Sequence, residues 1–184
     1  MNLRQIPNTL CVFRIVLVAP ILWSITGGQY EIALLLFIVA GGTDALDGFL
    51  ARQFDWHTEL GGFLDPIADK LLMVFVMVWL ALEQLVPLWL ALILISRDII
   101  IVSGALAYRL LIGPFAGSAS GASKVNTAMQ LLFVTAILAQ AAYTLLPEVV
   151  IAVMGSLVFV TAIVSGLSYI RDWTRLALQA RNSA

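Results

Sequence analysis

Two pairs of aspartates, Asp44 with Asp47 and Asp65 with Asp69, stand in the stretch 44–69 of a chain that is otherwise strongly apolar. Asp44 and Asp47 are three positions apart and Asp65 and Asp69 four, spacings that put each pair on one face of a helix. Taking carboxylates out of water costs on the order of several kcal/mol per charge, and their mutual repulsion adds to it. Lys70 and Arg52 offset part of that cost. Metal offsets the rest: hard oxygen donors suit Mg2+ or Mn2+ rather than zinc, and two ions sharing carboxylates balance four negative charges. Gly48 and Ala51 are small enough for a substrate or a neighbouring helix to approach the backbone closely. Arg52 offers a planar fork suited to a phosphate oxygen. Pro66 lacks a backbone donor and is expected to free the carbonyl of Gly62 for water or another ligand. A lone membrane carboxylate is often a helix–helix hydrogen-bonding partner, and Gly61-Gly62 alone is an ordinary turn; the combination is what points to chemistry. His57, in a polar stretch, reads as solvated rather than catalytic.

These residues need rigid elements to bring them together, and composition says which kind. The chain has 184 residues, 61% of them hydrophobic and 11% charged, with a mean hydropathy of +1.01. A soluble domain carries about a quarter charged residues, so the expected solvent is lipid. A net charge of −1 provides no basic field for nucleic acid. The single cysteine, Cys11, excludes an intrachain disulfide and any multi-cysteine metal site, and reads as a small buried or lipid-facing residue.

A membrane-spanning helix needs roughly 20 mostly apolar residues. Six segments come close, at about 8–27, 31–53, 61–83, 87–112, 122–145 and 148–171. Turn signals separate them: Gly27-Gly28, Gly61-Gly62, Pro87, the run from Gly113-Pro114 to Gly121, and Pro147. Arg14 interrupts the first run and no clear cleavage signal follows, so it reads as a retained helix. The expected fold class is all-α: one integral membrane bundle of six transmembrane helices over residues 1–184.

Arg4, Arg52, Arg109, Lys124, Arg171, Arg175 and Arg181 cluster at alternate helix ends, while the connections near 27–31, 83–87 and 145–148 contain no Lys or Arg. The positive-inside rule then puts both termini and the 2–3 and 4–5 loops in the cytoplasm. At 1.5 Å rise per residue, Asp44 and Asp47 lie roughly 8–13 Å inside the end of the second helix. Asp65 and Asp69 lie roughly 6–12 Å inside the start of the third, so the pairs are expected to meet just below the cytoplasmic surface.

The pattern Asp-x2-Asp-Gly-x2-Ala-Arg-x8-Gly-x3-Asp-x3-Asp, complete here as Asp44, Asp47, Gly48, Ala51, Arg52, Gly61, Asp65 and Asp69, resembles the signature of the CDP-alcohol phosphatidyltransferases. The resemblance includes the Pro7-Asn8-Thr9 start with Arg14 and runs over nearly the whole chain. It implies transfer of a phosphatidyl group from CDP-diacylglycerol to an alcohol, with release of CMP. By the same resemblance Asp44, Asp47, Asp65 and Asp69 hold two divalent ions, and Asp69 is also the general base for the acceptor hydroxyl. Thr43, Asp47, Gly48, Ala51 and Arg52 would hold the CDP moiety. The family usually forms homodimers, and a bacterial inner membrane is the expected location.

For the acceptor, Ser96-Arg97-Asp98 and Ser123-Lys124-Val125-Asn126-Thr127 with Gln130 are suggestive. An intramembrane Arg97 is costly unless it meets an anion, whether Asp98, another carboxylate, or the phosphate of an acceptor assisted by Arg109 and Lys124. Both stretches resemble the branch of phosphatidylglycerophosphate synthases and eukaryotic-type cardiolipin synthases. Arg-Asp and Ser-Lys-Val-Asn-Thr stand closer to the cardiolipin synthase pattern, which favours phosphatidylglycerol over glycerol-3-phosphate. Inositol phosphate, serine and choline fit less well. The rival classes are a cation transporter, which should spread charge across the bilayer depth, and a non-catalytic lipid scaffold, which has no need to keep both Asp65 and Asp69.

Overall fold

A computed structural model describes the backbone of residues 6–54, 59–111 and 121–182, and side chains for Thr9 and Arg171 and over 11–43, 70–104 and 121–169. The described residues form six α-helices: α1 (Ile6–Thr26), α2 (Tyr30–Phe54), α3 (Glu59–Leu82), α4 (Leu88–Leu111), α5 (Gly121–Tyr143) and α6 (Glu148–Asn182). They match the six apolar segments read from the sequence, with two differences.

Gly61 and Gly62 are helical rather than a turn, because α3 already begins at Glu59. They occupy its first turn, where the backbone amides lack intrahelical acceptors in any case. The second difference is α6, which continues to Asn182 instead of stopping near residue 171. Charge ends the apolar window there, but Leu, Ala, Gln and Arg keep good helix propensity and no Gly or Pro intervenes.

The turns at one set of helix ends are built locally. Gly28 closes α1 at φ 68°, with Gln29 N donating to Ser24 O at 2.8 Å, the left-handed ending that glycine favours. The α3 end is similar, with Gln84 at φ 60° and Leu85 N donating to Leu80 O at 2.9 Å. At the end of α5, Thr144 takes φ 52°, and Gln140 Oε1 accepts from Leu146 N at 2.7 Å. A left-handed conformation costs an L-residue about 1–2 kcal/mol, and a β-branched one suffers most. Thr144 is exposed, so its side chain gives little back. Thr144→Gly is therefore expected to stabilise the chain by about 1 kcal/mol, read as a higher thermal midpoint in detergent; a lower midpoint contradicts the strain.

The elements group into two compact units. In the first, α1 packs on both α2 and α3. Its buried stripes follow helical spacing: Leu17, Ile21 and Ile25 on α1, Ala33, Phe37 and Ala40 on α2, and Leu72, Val76 and Leu80 on α3. Trp79 Nε1 donates to Thr26 Oγ1 at 2.7 Å, tying the ends of α3 and α1. Cys11 and Arg14 are completely buried on α1, and Arg14 and Lys70 are both engaged by neighbouring groups.

The second unit comprises α4, the start of α5 and α6. Gly155 lets Phe133 close in, since a Cβ there would lie 3.4 Å from its ring. Trp89 packs edge-on against Phe159, with ring centroids 5.8 Å apart.

Polarity is inverted relative to a water-soluble chain. Val16, Leu35, Leu92, Val149 and Leu167 are exposed, whereas Arg14, Arg97, Asp98, Asn126 and Gln130 are buried. Within the described residues, Gly121–Tyr143 and Glu148–Tyr169 are helices long and apolar enough to cross a membrane. Lipid explains both facts.

Candidate functional site

Asp44, Asp47, Gly48, Ala51 and Arg52 ride on the C-terminal half of α2, and Gly61, Asp65 and Asp69 on the N-terminal half of α3. Both helices are continuous through these positions, so each aspartate pair keeps the common face that its spacing requires. The side chains of these eight residues lie outside the described residues, as do the side chains of Pro66 and Arg109, and His57 altogether. Thr43, one turn before Asp47, is half-buried and donates through Oγ1 to Ala40 O at 2.7 Å. Among the described side chains no group of three or more His, Cys, Asp or Glu is placed to hold a metal ion.

One recess in the first unit, about 270 Å³, lies between the α1–α2 turn and Ala141-Ala142. It starts at Gly28 and Tyr30, roughly 20 Å along α2 from Asp44 at 1.5 Å per residue. That separation removes it from the chemistry.

The described polar machinery is in the second unit. Along the buried stripe of α5 the residues run Ser123, Asn126, Gln130 and then Phe133, so the interior changes from polar to apolar within one helix. On α4 the order is reversed, Leu90 and Leu94 preceding Arg97 and Asp98, and on α6 Val158 and Ala162 precede Ser165. Polar groups are thus collected at the end of this unit where α4 finishes and α5 begins.

Arg97 is the centre of this cluster. Its Nη1 donates to Asp98 Oδ1 at 2.5 Å, and its Nη2 donates to Ser123 Oγ at 2.9 Å and to Ser165 Oγ. The Arg97 and Asp98 side chains are only 5% and 6% exposed. Such a pair is tolerable in a low-dielectric interior because its partners are close and the terminal nitrogens of Arg97 are hydrogen-bonded; its Nε is buried with no partner among the described residues. One turn further in, Thr161 Oγ1 donates to Asn126 Oδ1 at 3.0 Å. Lys124, next to Ser123, is exposed. Of the acceptor residues read from the sequence, Arg97 therefore meets Asp98, one of the alternatives left open, while Lys124 stands free of the buried cluster. Ser165 and Thr161 escaped the sequence reading. Their place four apart on the stripe with Val158 and Ala162 was the available signal, but a stripe does not say which helix it faces.

Described residues that are all helical or in short turns, with lipid-suited surfaces, buried charge and two aspartate pairs on successive helices, define a membrane protein. The family to which it corresponds is shown by sequence: residues 4–169 match the CDP-alcohol phosphatidyltransferase model. The chain belongs to the CDP-alcohol phosphatidyltransferase family. It is similar to the human cardiolipin synthase (CMP-forming), 35% identical over 185 residues, which takes in 91% of this chain and 61% of that protein. It is also similar to the CDP-diacylglycerol–glycerol-3-phosphate 3-phosphatidyltransferase of Bacillus subtilis (strain 168), 37% identical over 94 residues, 47% of this chain and 49% of that one. A cardiolipin synthase (CMP-forming) of Streptomyces coelicolor is 39% identical over 99 residues, 50% of this chain and 46% of its own length. The chain thus spans about three fifths of the length of the human relative.

Proposed function

We propose that the chain transfers the phosphatidyl group of CDP-diacylglycerol to a glycerol hydroxyl and releases CMP. The observation that carries this reading is the complete aspartate–glycine–arginine pattern from Asp44 to Asp69, set on two continuous helices inside the segment that matches the family. In the reaction the acceptor oxygen bonds to the phosphorus of the phosphatidyl group. The bond from that phosphorus to the bridging oxygen of CMP breaks, CMP leaves, and Asp69 receives the hydroxyl proton. A carboxylate in hydrogen-bond reach raises the nucleophilicity of the hydroxyl.

Asp44, Asp47, Asp65 and Asp69 offer oxygen donors alone, a chemistry that suits Mg2+ or Mn2+, and two ions would share the four carboxylates. When bound, the metal neutralises the pyrophosphate and stabilises the departing CMP. Arg52 clamps a phosphate oxygen, Gly48 and Ala51 leave room for the nucleotide beside α2, and Thr43 borders that space. Arg109 and Lys124 supply positive charge for the acceptor phosphate. Six membrane crossings, cytoplasmic termini and a cytoplasm-facing site in a bacterial inner membrane complete the reading; the Lys/Arg-free turns at 27–29, 83–87 and 144–147 support it. A homodimer is part of the same proposal.

Phosphatidylglycerol is the preferred acceptor. A synthase that forms cardiolipin and CMP must join a phosphatidyl group to phosphatidylglycerol, and the human protein so named is matched by 91% of this chain. The B. subtilis phosphatidyltransferase, whose name gives glycerol-3-phosphate, is matched by 47%. Purified chain, CDP-diacylglycerol and Mg2+ or Mn2+ should yield CMP and, by mass, cardiolipin when phosphatidylglycerol is present. Phosphatidylglycerophosphate from glycerol-3-phosphate instead would reassign the acceptor. No CMP with any alcohol would end the enzyme reading.

A further inference from the structure

The polar cluster of the second unit contains an arginine whose charge is already answered by the protein. Asp98 takes Nη1 of Arg97, and Ser123 and Ser165 take Nη2. An arginine reading a substrate phosphate presents its terminal nitrogens to that phosphate; here three of their four hydrogens go to protein oxygens, and the buried Nε has no partner among the described residues. Its stem passes α6 at Gly166, where an added Cβ would make ordinary contact at 3.9 Å from Arg97 Cγ. What Arg97 does hold is the opening turn of α5. Ser123 is buried and Lys124 exposed, and successive helical residues point about 100° apart, so fastening Ser123 sets the direction of Lys124.

We infer that Arg97, through Ser123 and Ser165, is a positioning residue that aims Lys124 at the anionic group of the acceptor and makes no contact with the acceptor itself. The inference rests on the phosphatidyl-transfer reading above. It assigns to α4 and α6 a share in acceptor recognition without any of their atoms touching the acceptor. Arginine is needed because one planar fork reaches the neighbouring carboxylate and two hydroxyls on different helices together; lysine, a compact charge on a flexible stem, does not reproduce that geometry.

The test uses the full chain in detergent, with CMP release measured against both CDP-diacylglycerol and phosphatidylglycerol or glycerol-3-phosphate, whichever supports turnover. Arg97→Lys should raise the acceptor KM about tenfold and Ser165→Ala about threefold, from loss of charged hydrogen bonds. The KM for CDP-diacylglycerol and kcat should stay within about twofold, the mark of lost binding rather than lost chemistry. In a Lys124→Ala background neither change should raise the acceptor KM further, because residues acting as one unit are non-additive. If Arg97 touches the acceptor, Ser165→Ala is silent and the Arg97→Lys and Lys124→Ala effects multiply, which overturns the inference. A lower thermal midpoint with unchanged acceptor KM also overturns it, leaving a purely structural pair. Should Arg97→Lys fail to fold, Ser165→Ala, which keeps the charge pair intact, decides the matter. No CMP release by the unsubstituted chain with any alcohol defeats the parent reading, and this one with it.

Discussion

Asp69→Asn is expected to lower phosphatidyl transfer by about 10²- to 10⁴-fold, the range that a positioned general base contributes, while CDP-diacylglycerol is still bound. The change removes the proton acceptor and keeps an oxygen donor of nearly the same shape. Asp44, Asp47 and Asp65 remain to hold metal, and Arg52, Gly48 and Ala51 to hold the nucleotide. The measurement pairs CMP release with retention of labelled CDP-diacylglycerol by the purified variant. Near-normal turnover removes Asp69 from the base role. Loss of retention together with turnover would make Asp69 chiefly a metal ligand, and the proton would then need another acceptor.

Removing the metal should be as severe as removing the base. Chelation is expected to bring CMP release to background, and added Mg2+ or Mn2+ to restore it, because the protein's own positive charge balances only part of the four carboxylates. Lys70 and Arg52 supply two positive charges against them. Asp65→Asn should raise the metal concentration needed for half-maximal rate by about tenfold or more, as expected when an ionic ligand becomes neutral. Mn2+ binding followed by its magnetic resonance signal gives the same comparison without turnover, and so separates a lost ligand from a lost catalyst. Full activity after exhaustive chelation, or better recovery with zinc, would contradict an all-oxygen site for hard cations.

The two sets of residues differ in how far the chain reveals them. The aspartate motif is local: each pair is tied by helical spacing, and Gly48, Ala51, Arg52 and Gly61 keep set intervals along the same two helices. Such features are read from one segment at a time. The six helices were legible for the same reason, since lipid demands long apolar helices and Gly and Pro mark where they stop. Boundary errors arose where two criteria part company. Charge after residue 171 ends hydropathy but not helix propensity, so α6 runs on to Asn182. Gly61-Gly62 resembles a turn in sequence and is absorbed by the first turn of α3.

Arg97 shows what a one-dimensional reading leaves open. An arginine in an apolar helix must find an anion, and Asp98 stands beside it, but adjacent residues on a helix do not face one another by default. Only packing brings Ser123 from α5 and Ser165 from α6 to the same guanidinium. By itself the amino-acid sequence determined the helical class, the lipid-suited surface, the family and the aspartate spacing, because each depends on residue type and distance along the chain. The tertiary structure decided that the interior of the second unit is polar at one end, and that Arg97 is held there by residues from three helices. Those depend on which faces of separate helices meet, and no periodicity within a single helix contains that information.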